Sequence, residues 1–373
     1  MPLPIPDNIA KAISTTLQQR IRHTIQAEHG WISFSDYMRM ALYTPGLGYY
    51  SAGSIKLGLQ GDFTTAPEIT PLFGMTLANT IAPVLMQTKG DILEFGAGSG
   101  RLAVSIMQAL AQQHTLPGRY AILEVSADLR ERQQAYIRQH VPHLYPQFVW
   151  YDTLPNNFNG VMLGNEVLDA MPCHLIYQQH GTLFERGVSM NTEADFIFQD
   201  QPLTNPALQA ALSHLILPNG YLTEIQLEAQ GFIHSLAQSL HQGIILLIDY
   251  GFEEEEYYHP QRCNGTLMCH YRHHMHTDPF FYPGLQDITT HINFTALNKT
   301  AEHAGLHLAG YATQAQYLLA AGLFDRVTTA QNDASWYPIS QAIQLLTSPA
   351  EMGDIFKVIA FSKPISFVLP GFD

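Results

Sequence analysis

The chain has 373 residues, 46% hydrophobic and only 13% charged, which places it among globular proteins able to bury a large core. Eighteen Lys and Arg stand against 32 Asp and Glu, a net charge of −14. With no basic stripe in view, sustained nucleic-acid binding is disfavoured and a polar or cationic substrate fits better. No apolar run reaches the roughly 18 residues that a membrane span needs. Cys173, Cys263 and Cys269 are too few for a disulfide framework in a chain of this size.

Met1-Pro2-Leu3-Pro4-Ile5-Pro6 has neither the basic flank and apolar stretch of a signal peptide nor the Arg-rich helix of a presequence, so a cytoplasmic protein is expected. Ile9, Ile13, Leu17, Ile21 and Ile25 recur with helical spacing over residues 9–29, and Gly30 supplies a stop. Ser33 to Met38 reads as a capped second helix. A loop rich in Gly, Pro and Tyr follows to Gly61, then Gly61-Asp62-Phe63-Thr64-Thr65-Ala66-Pro67-Glu68 leads into a helix starting near Thr70. Residues 1–90 are therefore expected to form a helical lid.

Asp91-Ile92-Leu93-Glu94-Phe95-Gly96-Ala97-Gly98-Ser99-Gly100-Arg101 reads as a strand, a tight turn and a helix over 101–113. A dinucleotide fingerprint needs G-x-G-x-x-G/A, whereas the pattern here is E-x-G-x-G-x-G, the form that binds S-adenosylmethionine. Tyr120 to Ser126 reads as a second strand ending at Glu124, placed to accept from ribose hydroxyls. A third strand, Phe148 to Tyr151, ends at Asp152, placed for the adenine amino group, with Val125 and Thr153 beside them. Helix 127–140 joins these strands. The competing reading, a purely structural glycine loop, loses ground because carboxylates end three successive strands.

A fourth strand, Gly160 to Gly164, ends at Asn165-Glu166. Runs around Leu175 and Leu183 suggest a hairpin turning at His180-Gly181, within an inserted β-rich subdomain. Helix 225–240 leads to a strand over 244–248, ending at Asp249-Tyr250-Gly251. Glu253 to Glu256 reads as a solvated loop. Strands are expected over 265–272 and 307–319, with helix 292–304 between them, a helix near 339–347 and a last strand over 352–360. The expected divisions are 1–90, a cofactor-binding αβ core at 91–172, the insertion at 173–242, and the rest of the core at 243–373. Cysteines and histidines between Cys263 and His276 invite a zinc reading, but no C-x₂-C pair accompanies them, so no metal is expected.

Taken together, Gly61 to Glu68, Leu93 to Gly100, Leu123 to Ser126 with Leu129-Arg130, and Asn165-Glu166-Val167-Leu168-Asp169-Ala170-Met171-Pro172 resemble the MidA-like methyltransferases. Asp249-Tyr250-Gly251, Gly265-Thr266, Tyr271 with His274, Asp287 to Phe294, Met352-Gly353 and Phe356-Lys357 extend the resemblance over nearly the whole chain. Mitochondrial members of that family are complex I assembly factors. The resemblance implies an α/β, class I (Rossmann-like) seven-stranded methyltransferase core with extra elements and S-adenosyl-L-methionine as cofactor. It also implies methylation of a protein arginine, on a subunit of respiratory complex I. Thr65 stands where many relatives carry Ser. A homodimer is left open.

Cofactor contacts are expected from Glu94, Gly96, Ala97, Gly98, Gly100, Glu124, Val125, Asp152, Thr153, Asn165, Thr65 and Glu68. A guanidinium nucleophile needs carboxylates to hold it and disperse its proton. Glu166 is the first candidate, then Asp169, with Asn165 as a hydrogen-bonding partner and His291, near Asp287, as a site histidine. Asn165 and Asp169 read equally as helix caps, Thr65 as a cap before Ala66-Pro67, and His291 as a packed core residue. Two other functions stay open: methylation of a small molecule or RNA, and a cofactor-binding assembly chaperone without turnover.

Overall fold

Alternation of side chains along the apolar strands builds this molecule in layers. The computed structural model describes residues 3–51, 64–327 and 333–372, so the expected Gly61-Asp62-Phe63 portion of the lid lies outside the described residues. Seven strands, β1 (Asp91–Phe95), β2 (Tyr120–Leu123), β3 (Phe148–Tyr151), β4 (Phe158–Asn165), β5 (Leu240–Phe252), β6 (His307–Thr313) and β7 (Phe356–Lys363), form the central sheet. Their order is β3-β2-β1-β4-β5-β7-β6. Neighbours among β1 to β5 are parallel, and β7 runs antiparallel to both β5 and β6. The two-residue strand Ile292–Asn293 extends β5 as an eighth member.

Successive residues face opposite sides of a strand, so a sheet covered on both faces needs apolar residues at every position. Ile92, Ile122, Val161, Ile244, Leu246 and Val358 pack on one face under the helices Leu72–Thr88 and Arg101–Gln112. Leu93, Ala121, Met162, Ile245, Leu247 and Ile359 pack on the other, under Leu227–Ser239 and Phe294–His303. This is the class I methyltransferase architecture, with helices on both faces.

A second sheet is built from His174–Gln179, Thr182–Met190, Phe196–Pro202, Leu222–Ile225 and Ile32–Ser33. Its hairpin turns on His180 and Gly181, both at positive φ (49° and 81°), the twist that a two-residue loop requires. The helices Asn8–Ala27 and Phe34–Tyr43, capped by Asp7 and Ser33, lay Leu17, Ile21, Tyr37 and Met38 against Cys173, Leu175 and Val188. The N-terminal helices therefore rest on the inserted sheet rather than on the central one.

Several expected boundaries move. The strand foreseen over 307–319 stops at Thr313, whose hydroxyl opens the helix Gln314–Ala320 through a capping box with Gln316. Glu253, Glu255 and Glu256 are exposed, as expected of a solvated segment, but the run is not a loop. Glu254–Tyr257 is a short helix, and Glu254 accepts from Lys299 and lies 3.1 Å from His214 Nε2. Leu222–Ile225 is a strand, so the helix foreseen over 225–240 begins at Leu227.

Close approach of β1, β4 and β5 at their N-terminal ends depends on Gly160, held at φ 125°, where an added Cβ would lie 2.0 Å from the Asp91 carbonyl oxygen. Gly160→Ala is expected to cost about 2–4 kcal/mol. The check is a lower urea midpoint with an unchanged slope; a midpoint equal to wild type would show that these strands part without cost.

Candidate functional site

Strand order reverses between β1 and β4, and beyond their paired carboxyl ends lies a crevice, the place where open α/β sheets take ligands. A cavity of about 1180 Å³ opens there. Its wall includes the turn after β1, the end of β2, the turn after β4 and the helices Leu227–Ser239 and Phe34–Tyr43.

The turn after β1 presents bare backbone. Gly96, Gly98 and Gly100 sit at φ 60°, 53° and 84°, in the left-handed region that side chains disfavour. Gly100 occupies the N-cap position of Arg101–Gln112, whose first turn reaches the cavity through Leu102. A helix N-terminus there suits a carboxylate of an amino-acid-like ligand. Ala97 lines the wall beside it. Glu68 is tied to the same turn: the Ser99 hydroxyl donates to it, and Arg101 Nε lies 3.0 Å from its Oε2. Thr65 lines the cavity and occupies the N-cap position of Ala66–Ile69, yet its side chain makes no capping hydrogen bond.

Glu94 is buried in β1 and accepts from the Tyr120 hydroxyl at 2.9 Å. Burial pushes its carboxyl up to about 8, with the nearby Glu124 charge adding. Glu124 is oriented by its own loop and by the following helix: Oε1 accepts from Ser126 N–H at 2.9 Å and Oε2 from Gln133 Nε2 at 3.0 Å. These two bonds fix the Glu124 carboxylate at the cavity wall. Val125 and Leu129 add an apolar shelf beside it. Gln133, fully buried and unforeseen from sequence, also donates to the Gly98 carbonyl at 3.1 Å and accepts from Trp150 Nε1 at 3.0 Å.

The third strand end departs from expectation. Asp152 and Thr153 do not line the cavity; Asp152 is 84% exposed and pairs with Arg130 Nη2 at 2.8 Å. Arg130 draws that carboxylate outward while also donating to the Glu124 and Tyr151 carbonyls.

After β4 the chain turns without starting a helix, so Asn165 and Asp169 have nothing to cap. Glu166 adopts φ 53° and donates its N–H to the Ile248 carbonyl at 2.9 Å. Its side chain lines the cavity and accepts from Asn165 Nδ2 at 3.2 Å. Burial first, then the Asp169 charge, pushes the Glu166 carboxyl up to about 8. Asn165 also lines the cavity, and its Oδ1 is buried with no hydrogen-bond partner.

Asp169 stands behind this wall rather than on it, accepting from the Tyr250 hydroxyl at 2.5 Å. Asp249, wholly buried, accepts from the N–H groups of Leu168 at 2.9 Å and Asp169 at 3.2 Å and so pins the turn. Burial raises the carboxyls of both aspartates.

His291 is also absent from the wall. It packs against Tyr250 and Phe252, and burial, with Arg262 and Lys357 adding, pushes its imidazole down to about 4. Its companion Asp287 accepts from the Tyr50 hydroxyl, and Tyr50 stacks on Tyr43, which donates to the Ala170 carbonyl at 3.0 Å.

The histidine that does line the cavity is His174, with Nδ1 2.7 Å from Glu185 Oε1. Arg39 and Glu228 face each other on the same wall. No local pattern announces the second pair, because Arg39 lies 189 residues from Glu228 in sequence. Among the described residues, no group of three or more His, Cys, Asp or Glu could hold a metal ion.

A family model described as "Putative S-adenosyl-L-methionine-dependent methyltransferase" matches residues 76–312. The chain is 28% identical to the mitochondrial protein arginine methyltransferase NDUFAF7 of Danio rerio, over 94% of this chain and 86% of that protein. It is 26% identical to the mitochondrial homolog of that enzyme in Caenorhabditis elegans, over 91% and 85% of the two chains. A Burkholderia thailandensis protein solved with bound S-adenosyl-homocysteine superposes with a TM-score of 0.96, at 44% identity over 99% of this chain and 97% of that one. The expectation of a cytoplasmic protein is overturned by the arginine methyltransferase relatives, which are named as mitochondrial proteins.

Two outcomes test this geometry. Gly98→Val is expected to abolish binding of S-adenosyl-homocysteine in calorimetry, because φ 53° excludes a β-branched residue; unchanged affinity would refute the turn as the ligand's seat. Glu94 favours its protonated form on folding, so its contribution is largest below about pH 4.5 and is lost as pH rises through about 8. Glu94→Gln should therefore lose less stability than wild type between pH 5 and pH 9, read from urea midpoints.

Proposed function

The chain belongs to the S-adenosyl-L-methionine-dependent methyltransferase family whose model spans residues 76–312, and from that premise we propose that it methylates an arginine of a protein. It is an enzyme of the methyltransferase class, and its cofactor is S-adenosyl-L-methionine. The glycine turn, the oriented Glu124 carboxylate and the Val125 shelf fit the amino-acid, ribose and base portions of that molecule.

One observation carries the arginine reading. Among the described residues, five glutamates, Glu68, Glu94, Glu124, Glu166 and Glu228, line the cavity, against one arginine, Arg39, itself paired to Glu228. An acidic, partly desolvated pocket favours a cationic acceptor and rejects phosphates. Relatives named as protein arginine methyltransferases, similar over about nine-tenths of this chain, support the same acceptor. A complex I subunit, implied by the resemblance, is the first acceptor to try.

When bound, the cofactor supplies an electrophilic methyl group on a sulfonium sulfur; the chain supplies position and charge. Glu166 projects from the turn after β4 and is assigned to hold the guanidinium. Its carboxyl, raised to about 8, is largely protonated in the free enzyme at neutral pH. An arriving guanidinium favours the carboxylate, so binding releases a proton and strengthens as pH rises towards 8. Asn165, with one buried amide oxygen unpartnered, is placed to accept a hydrogen bond from the same group. Asp169 and Asp249 act from behind, fixing the turn.

Glu166→Gln should retain S-adenosyl-homocysteine affinity within about two-fold while lowering kcat by about 100-fold or more. It should also flatten the rise of acceptor affinity between pH 6 and 8. Full turnover in this variant would remove Glu166 from the reaction. Incubation of the wild-type protein with methyl-labelled cofactor and a cell lysate identifies the acceptor class. Label on protein arginine supports the proposal, while label confined to RNA or a small molecule, or no label, overturns it.

A further inference from the structure

We propose that Glu228 is the carboxylate on which the acceptor guanidinium first docks, and that Arg39 occupies it until the acceptor arrives. This rests on the arginine reading above and names the residue that selects the acceptor.

Arg39 projects from the helix Phe34–Tyr43, and Glu228 stands in the first turn of Leu227–Ser239. Arg39 Nη1 donates to Glu228 Oε1 at 2.9 Å and Nη2 to Oε2 at 2.6 Å, two parallel bonds in the fork geometry that guanidinium and carboxylate share. Both side chains line the cavity that also holds Glu166 and the glycine turn. The enzyme thus binds one guanidinium of its own on the wall where a substrate guanidinium must enter.

The other cavity glutamates are engaged differently. Glu68 accepts from Ser99 and pairs with Arg101, Glu94 accepts from Tyr120, Glu124 from Ser126 and Gln133, and Glu166 from Asn165. Glu228 is gripped through both oxygens by one guanidinium. Its place in the first turn of a helix also suits an anion.

The pair is built to exchange. Its side chains are 48% and 38% exposed, so water and an incoming group can reach both partners. An incoming arginine can reproduce both bonds and displace Arg39. A lysine cannot, because its ammonium is a point charge without the planar fork. Selection of arginine over lysine then happens at the cavity mouth, before the acceptor reaches Glu166.

The test uses the full chain loaded with S-adenosyl-homocysteine, a short arginine-glycine peptide as probe, and calorimetry. Arg39→Ala should tighten peptide binding by about five-fold, the competition having been removed. Glu228→Gln should weaken it by about ten-fold or more. In the double variant the gain from Arg39→Ala should vanish, an outcome that a merely structural role for either residue would not give. S-adenosyl-homocysteine affinity and thermal melting, followed in all variants, report on folding. Peptide affinities equal to wild type in both single variants, with arginine labelling intact, would overturn this inference alone. Labelling of RNA or a small molecule and never of arginine would overturn it together with the arginine reading.

Discussion

One buried carboxamide holds three strand ends in a common frame. Gln133 joins the Gly98 carbonyl after β1, the Glu124 carboxylate after β2 and the Trp150 indole in β3 through three hydrogen bonds. Its side chain has no contact with water, so each bond lost would strand a polar group in the core. The cavity inherits its shape from this frame, since the left-handed glycine turn and the oriented Glu124 keep their relative places through it. On the far side of the switch point Asp249 does comparable service, anchoring the turn that carries Glu166 through the N–H groups of Leu168 and Asp169.

What was legible in the sequence follows the range of the interactions involved. Local chemistry reads well: the spaced glycines foretell a tight turn, Ser33 foretells a helix start, and apolar runs foretell the strands of the central sheet. Expectations that depended on a side chain's direction fared unevenly. Asp152 ends the third strand as foreseen, but Arg130 turns it towards solvent. His291 was singled out as a site histidine, yet aromatic neighbours enclose it away from the cavity, whereas His174 faces it. Pairs such as Arg39 with Glu228 and Tyr50 with Asp287 belong to segments that meet only in the folded chain, so spacing alone carries no trace of them.

The cavity collects carboxyl groups at a cost to the free protein. Glu94 and Glu166 are held largely protonated near neutrality because burial and neighbouring carboxylates oppose a second charge. A cationic ligand relieves that opposition. Binding of a sulfonium and then of a guanidinium would each draw an ionised carboxylate out of a neutral one. Stability without ligand and affinity for ligand are therefore opposed here, as is common where a site is poised for charge that it does not itself carry.

Insertion of β7 between β5 and β6 has a bearing on biosynthesis. β5 and β6 are not hydrogen-bonded neighbours; each finds its antiparallel partner in Phe356–Lys363. Until that segment leaves the ribosome, the nascent chain exposes an apolar strand, Ile244 to Ile248, with one row of amides and carbonyls unpaired. Premature termination before β7 would leave a sticky flank rather than a shortened enzyme, a natural target for chaperones and proteolytic quality control.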